Sequence, residues 1–217
     1  MLILLKMLRA WCFATMLGAC AAAAGPMGYV DSTMAMGDLG PNWRELWVNR
    51  ALTTRDAVGG EILSMRSDDK QRTRELIGLT YTRLAYRWNG EHAQANVWAF
   101  AGIGGVRGNN FSDTRTMLSP GLQLDYETTR LYVAAYGRLY RAPGINHDYG
   151  SVRAGFSFIE ADYDEIQPWF IVEARRMRNL SDKIEVTPML RLISKNYFVE
   201  LGVNNSRQVR ANFMYVY

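Results

Sequence analysis

Cysteine is almost missing from this sequence, and the two that occur, Cys12 and Cys20, both fall within its first 24 residues. From residue 25 onward there is none, which excludes a thiolate nucleophile, a thiolate metal site and a redox dithiol there. A chain without thiols also crosses an oxidising compartment with no risk of wrong disulfides. Histidine is nearly as scarce, with only His92 and His147. No stretch reaches about 18 consecutive apolar residues, which excludes a transmembrane helix. The composition shows no low-complexity, collagenous or disordered character, since 48% hydrophobic residues is ordinary for a folded chain. The net charge of +4 is modest, so nucleic acid is not among the expected partners.

What is present starts with an ordered N-terminal signature. Lys6 and Arg9 precede an apolar run through Trp11, Phe13, Met16 and Leu17, followed by the small-residue tract Ala19 to Gly25. Positive, apolar, small is the layout of a secretory signal, here residues 1–24 with cleavage after Ala24. The alternative is lipoprotein processing at Cys20, because Leu17-Gly18-Ala19-Cys20 resembles a lipobox. The remainder, residues 25–217, is one domain by length.

That domain alternates with a period of two. Leu131, Val133, Ala135, Gly137 and Leu139 interleave with Tyr132, Ala134, Tyr136, Arg138 and Tyr140. The same pattern runs through residues 151–158, 184–192, 197–204 and 209–217, separated by turn chemistry such as Gly108-Asn109-Asn110, Ala142-Pro143-Gly144 and Asn204-Asn205-Ser206. Successive strand side chains point to opposite faces, so each segment carries one apolar and one polar face. Tyr86, Trp88, Tyr126, Trp169, Phe170, Tyr215 and Tyr217 collect at strand ends, where membrane-interface girdles fall. The polar faces hold more charge than a small packed sandwich tolerates. The reading is therefore all-β: an antiparallel transmembrane β-barrel of about twelve strands, with ten or eight as alternatives. The segments before residue 66 are the least regular.

The last strand, Val209 to Tyr217, resembles the C-terminal insertion signal of Gram-negative outer-membrane β-barrel proteins, which end in an aromatic residue on an amphipathic strand. The resemblance implies residence in the cell outer membrane. It also implies outer-membrane lipid as surroundings and the barrel-insertion machinery as a partner recognising that strand. In size and charge the chain looks similar to small monomeric porins that pass acidic sugars.

With the apolar faces outward, the inward set is Arg83, Arg87, Gln123, Asp125, Arg138, Arg153, Glu173, Arg175, Glu185, Arg191, Glu200, Arg210 and Asn212. Arginines outnumber carboxylates in it, and arginine's planar fork suits carboxylate and phosphate. The expected function is a narrow, weakly anion-selective channel for small acidic solutes along Arg83, Arg87, Arg138, Arg153, Arg175, Arg191 and Arg210, with Asp125, Glu173, Glu185 and Glu200 as acidic partners. The alternative is a closed structural or anchoring barrel whose salt bridges fill the lumen. The strand around Arg83 is ambiguous, since Ile77, Leu79 and Tyr81 share its face while Leu76, Leu84 and Tyr86 make a rival one; a bulge would reconcile them. An enzyme is not expected. A lipid-modifying barrel enzyme would need a strand-borne His-x-Ser arrangement, and His92 and His147 sit in loops instead. Soft-metal handling by Met27, Met34 and Met36 is a further alternative, set against their being one apolar strand face; no metal site and no cofactor is expected. Gly102 to Gly108 lacks the Lys-Ser/Thr ending of a phosphate loop and reads as a strand that neighbours approach closely. Glu160 to Glu165 reads as a solvated turn.

Overall fold

A computed structural model describes residues 25–161 and 165–217. The expected signal segment, its cleavage or lipidation site and the centre of the acidic turn lie outside the described residues. Fifteen strand segments follow one another: β1 (Thr33–Leu39), β2 (Trp43–Ala51), β3 (Asp56–Arg66), β4 (Thr73–Asn89), β5 (Ala93–Gly108), β6 (Phe111–Leu118), β7 (Gly121–Thr128), β8 (Leu131–Arg138), β9 (Arg141–Ala142), β10 (Ile145–Asn146), β11 (Tyr149–Ser157), β12 (Gln167–Met177), β13 (Glu185–Ser194), β14 (Tyr197–Val203) and β15 (Val209–Val216).

Neighbours pair antiparallel, and the sheet closes on itself through β1 and β15, from Met34↔Val216 to Leu39↔Ala211. Three staves of the barrel are each two segments. Strand β5 pairs with β7 through Ala93–Phe100 and with β6 through Ile103–Gly108, so β6 and β7 form one stave interrupted at Ser119-Pro120. Proline has no N–H for the ladder, and the interruption falls there. Segments β8 and β9, and β10 and β11, join in the same way. The result is a closed antiparallel barrel of 12 strands with no helix among the described residues.

Side-chain exposure shows what surrounds the wall. On β4, Ile77 and Leu79 are 68% and 71% exposed, while Leu76, the residue just before them, is 1% exposed. The outward rows continue around the ring as Leu122 and Leu124, Leu131 and Val133, Val186, Leu190 and Leu192, and Val199 and Leu201. Inward positions on the same strands carry Arg, Glu, Asn and Thr. This polarity is inside out for a water-soluble protein and fits a lipid-facing exterior. Exposed Tyr86, Trp88, Tyr126, Tyr197, Tyr215 and Tyr217 gather at the rim where β1 begins and β15 ends, hereafter the terminal rim. The opposite rim presents Arg44, Arg66, Glu75 and Arg107 in place of aromatics.

Two sequence expectations about facing are corrected. Arg83 points outward, ion-paired to Asp56 at 2.8 Å and beside the Tyr81 hydroxyl. The cause is a bulge between Leu84 and Tyr86, where one extra residue, Ala85, inverts the alternation. Below it Arg87 turns inward, so residues four apart in sequence lie on opposite faces of the wall. Trp169 is also not an interfacial aromatic: it is 2% exposed and faces the lumen among Tyr132, Ile171 and Phe198.

If lipid covers the outer rows, a charge placed there is costly, by roughly 2–4 kcal/mol near the bilayer midplane. Leu190→Arg is expected to lose about that much folding free energy in vesicles, measured by urea titration. The same substitution at Tyr217, at the rim, should cost under about 1 kcal/mol. Equal losses at both positions would contradict a lipid-facing row.

Candidate functional site

The lumen is built from inward residues of nearly every stave, and it is divided along its axis. Opposite the terminal rim lies a vestibule of about 650 Å³, lined by Pro41, Asn42, Ser67, Asp68, Ser181, Lys183, Glu185 and Gln208 among others. Its roof is a bridge across the mouth. The backbone N–H of Asp68, in the β3–β4 turn, donates to the Leu180 carbonyl at 2.9 Å, in the β12–β13 loop on the other side of the ring. The Asp68 carboxylate accepts from Asn42 Nδ2 at 2.7 Å and from Ser181 Oγ at 2.9 Å.

Beneath the vestibule is a layer of four charges. Arg175 donates from Nε to Glu185 at 2.7 Å and lies 3.4 Å from Asp38 through Nη1. Arg210 reaches Asp38 at 2.9 Å through Nη2 and Glu185 at 3.5 Å through Nη1. Both guanidinium side chains are 0% exposed. Glu185 also lines the vestibule, and Asp38 lines a second, inner chamber of about 170 Å³. The four-residue layer is therefore the septum between the two spaces. Gly40, at the tip of the low β1–β2 hairpin, rests on it; a Cβ there would come within 2.9 Å of Arg175 Nη2 and of Arg210 Cδ. Arg175 Nη2 and Arg210 Nε and Nη1 have no hydrogen-bond partner among the described residues.

The inner chamber has an aromatic and ionic wall that includes Trp43, Trp47, Phe100, Tyr136, Arg153 and Arg191. Arg153 bridges Glu173 at 3.1 Å and Glu200 at 3.2 Å. Glu200 also accepts from Arg191 Nε and from Asn212 Nδ2, each at 2.6 Å. The Arg191 guanidinium lies over the rings of Tyr132 and Phe198, at 4.8 and 5.0 Å. On the other side, Arg138 and Glu61 form a two-pronged pair at 2.8 and 2.9 Å, each side chain 1% exposed. Ser119, at the break between β6 and β7, turns its carbonyl and hydroxyl oxygens inward to accept from the same guanidinium. Gly102 makes room: a Cβ there would meet Arg138 Nη2 at 2.7 Å. The glycine-rich stretch is thus a close-approach site in a strand. Nearer the terminal rim, Arg87 donates to Asn96 at 2.7 Å, and Asp125 accepts from Asn96 and from the Trp98 indole.

Of the residues expected in the lumen, Arg87, Asp125, Arg138, Arg153, Glu173, Arg175, Glu185, Arg191, Glu200 and Arg210 face it, and Arg83 does not. The expected arginine surplus is overturned. Asp38, Glu45 and Glu61, all on the irregular first three strands, add enough carboxylates to remove the excess of these arginines. A signal for two of them was present in Trp43-x-Glu45-x-Trp47 and in Glu61, two positions before Leu63, but the apolar inward neighbours obscured it. The sequence also did not reveal that one side of the lumen is dry, filled by Trp43, Leu63, Met65, Leu76, Val106 and Met117 with Tyr140 and Tyr149.

The remaining candidates fall apart in space. His92 is exposed on the terminal-rim turn beside Glu91. His147 lies near the opposite rim, its Nδ1 3.3 Å from the Arg178 carbonyl, and burial pushes its pKa below the ordinary histidine value. Met34 packs among Tyr132, Trp169 and Ile171, and Met36 and Met214, partners in register, border the chamber.

No family model matches the chain, and no curated protein does. Among solved structures it is similar to the KdgM porin, with 15% identity, TM-score 0.48, 86% of this chain and 98% of that one covered. It is similar to the KdgM porin in complex with disordered oligogalacturonate at 14% identity and TM-score 0.48, with the same coverage of both chains. OmpT with loop L8 deleted, an outer membrane protein of Vibrio cholerae, matches at 7% identity and TM-score 0.29, covering 86% of this chain and 97% of that one. Likeness at this level bears on no residue of the lumen.

Removing one partner of a buried ion pair strands the other charge, at a cost of about 3–5 kcal/mol. Arg138→Met is expected to lose that order of stability, and adding Glu61→Leu should recover most of it. A double-mutant cycle from denaturant unfolding measures the coupling. Simply additive losses would show that the pair is not a unit.

Proposed function

We propose that this protein is a narrow outer-membrane channel for small acidic solutes, held shut in the state described. One observation carries the reading: two cavities in the lumen are separated by a single layer of ion pairs in which three guanidinium nitrogens have no hydrogen-bond partner among the described residues, although one of them, Arg210 Nη1, stays in ion-pair range of Glu185. A buried guanidinium with unused donors is expensive, and a barrel that served only to fill space would be more stable with apolar residues there. Unused donors on Arg175 and Arg210 suit the oxygens of a carboxylate or phosphate arriving from the vestibule. The solute's acid group would exchange with Asp38 or Glu185 at the septum, then meet Arg153 and Arg191 in the inner chamber. Because lumen carboxylates balance the arginines, selectivity rests on these local donors and is weak.

A second reading, the closed structural barrel, is favoured by different observations: the fully buried Arg138–Glu61 pair and the Asp68 bridge over the mouth. Electrical recording separates the two. Reconstituted in planar bilayers, the channel is expected to show small unitary steps and a modest anion preference. Arg175→Ala and Arg210→Ala should move the reversal potential toward cation preference. A wild-type barrel that is silent at every voltage is the outcome of the closed reading, and a cation preference untouched by those changes would also end the proposal.

A further inference from the structure

The channel reading needs a floor to the inner chamber, and the chain supplies one from its own N-terminal side. Residues Tyr29 to Ser32 make a reverse turn at the terminal rim. Ser32 N–H donates to the Tyr29 carbonyl at 3.0 Å, Asp31 sits at φ 65°, and Asp31 N–H donates to the Ala51 carbonyl at 3.0 Å. The turn sends the preceding residues, Gly25 to Met27, back into the barrel. Gly25 and Pro26 border the chamber. The Pro26 carbonyl accepts from Asn49 Nδ2 at 2.8 Å. Gly25 lies so close to Trp98 that a Cβ would be 2.7 Å from the indole ring. Met27 is 6% exposed and fills an apolar socket with Trp47, Ala57, Leu84 and Phe100.

This segment differs in kind from the rest of the wall. Every stave is held by a ladder of backbone hydrogen bonds, whereas residues 25–28 belong to no strand. They are kept in place by packing of Gly25 on Trp98 and of Met27 in its socket, and by one side-chain bond to a carbonyl, with no ladder pairing. Asn49 Oδ1, buried beside that bond, has no hydrogen-bond partner among the described residues. An element held without backbone ladder bonds opens at a free energy below that of the barrel. It also lines the chamber, through Gly25 and Pro26, on the side toward the terminal rim.

We infer that residues Gly25 to Met27 are a tethered plug, seated by Asn49 and by the Met27 socket, whose release opens the terminal-rim end of the channel. The inference rests on the channel reading above. The hinge is the Tyr29–Ser32 turn, and the barrel wall does not move. A solute filling the chamber bears directly on Gly25 and Pro26, so passage and plug release are linked through shared contact.

Two measurements on the full-length protein, purified as it is exported, test this. The first is thiol labelling in detergent with a polar maleimide. Met27→Cys is expected to react about tenfold or more slowly than Tyr29→Cys, which is at the rim, and Asn49→Ala should largely remove the difference. The second is bilayer conductance. Met27→Asp, a charge forced into the apolar socket, should raise open probability about tenfold or more with an unchanged barrel circular-dichroism spectrum. A conducting barrel in which Met27→Cys labels as fast as Tyr29→Cys overturns the plug and leaves the channel standing. A shielded Met27→Cys with no current even in Met27→Asp overturns the channel, and the gating role goes with it. A conducting wild type whose open probability Met27→Asp does not change overturns the plug as a gate.

Discussion

Closure of the backbone ladder between β1 and β15 is the constraint on which everything else depends. In hydrocarbon no water is available to satisfy an unpaired N–H or C=O, so a sheet that spans a membrane must leave no edge. Pairing Met34–Leu39 with Ala211–Val216 removes the last edge. It also brings the start of β1 and the end of β15 to one rim and fixes the register of both terminal strands. Once that register is set, alternation decides the rest: each strand turns one row to lipid and the other to the lumen. The position of Asp38 opposite Asn212, next to Arg210, is a direct consequence.

The interior that results is a compromise between two solvents. The half of the lumen lined by β2 to β6 is packed with Trp, Leu and Met as a protein core is. The other half, from β11 to β15 and β1, sets most of the ion pairs beside a second apolar cluster of Met34, Trp169, Ile171 and Phe198. Ion pairs buried this fully give little net stability, because desolvation consumes most of their attraction. What they do give is a polar layer that can be disassembled without exposing a hydrophobic surface. That is the property the proposed channel needs at the layer of Asp38, Arg175, Glu185 and Arg210, between the vestibule and the chamber. The Asp68 bridge borders the vestibule and the segment Gly25 to Met27 borders the chamber, the two ends of the proposed path.

Much of this was legible in the sequence wherever one face of a strand meets lipid and the other meets charge. Residues 131–140, 151–158, 184–192, 197–204 and 209–217 face as their alternation predicts, and Arg138, Arg153, Arg191 and Arg210 follow from it. Legibility failed in three physical situations. The rival faces around Arg83 signal a bulge, but a period-two reading does not place its extra residue at Ala85, so Arg83 and Arg87 were put together although the bulge sets them on opposite faces. Alternation fades when the inward row is itself aromatic or aliphatic, and that concealed Glu45, Glu61 and the inward Trp169. Pairings such as Glu61 with Arg138 depend on which staves face each other across the lumen. Spacing along a single strand carries no trace of that.

The central claim is that lipid, and not other protein, touches the outer rows of the wall. Site-directed spin labelling along β13 in proteoliposomes tests it most directly, with labels at positions 186, 187, 189, 190, 191 and 192 read for collision with oxygen and with a polar nickel complex. The account predicts that 186, 190 and 192 are accessible to oxygen and shielded from nickel, while 187, 189 and 191 are shielded from both. Uniform accessibility along the strand, or nickel reaching 190 as readily as a rim position, would contradict it.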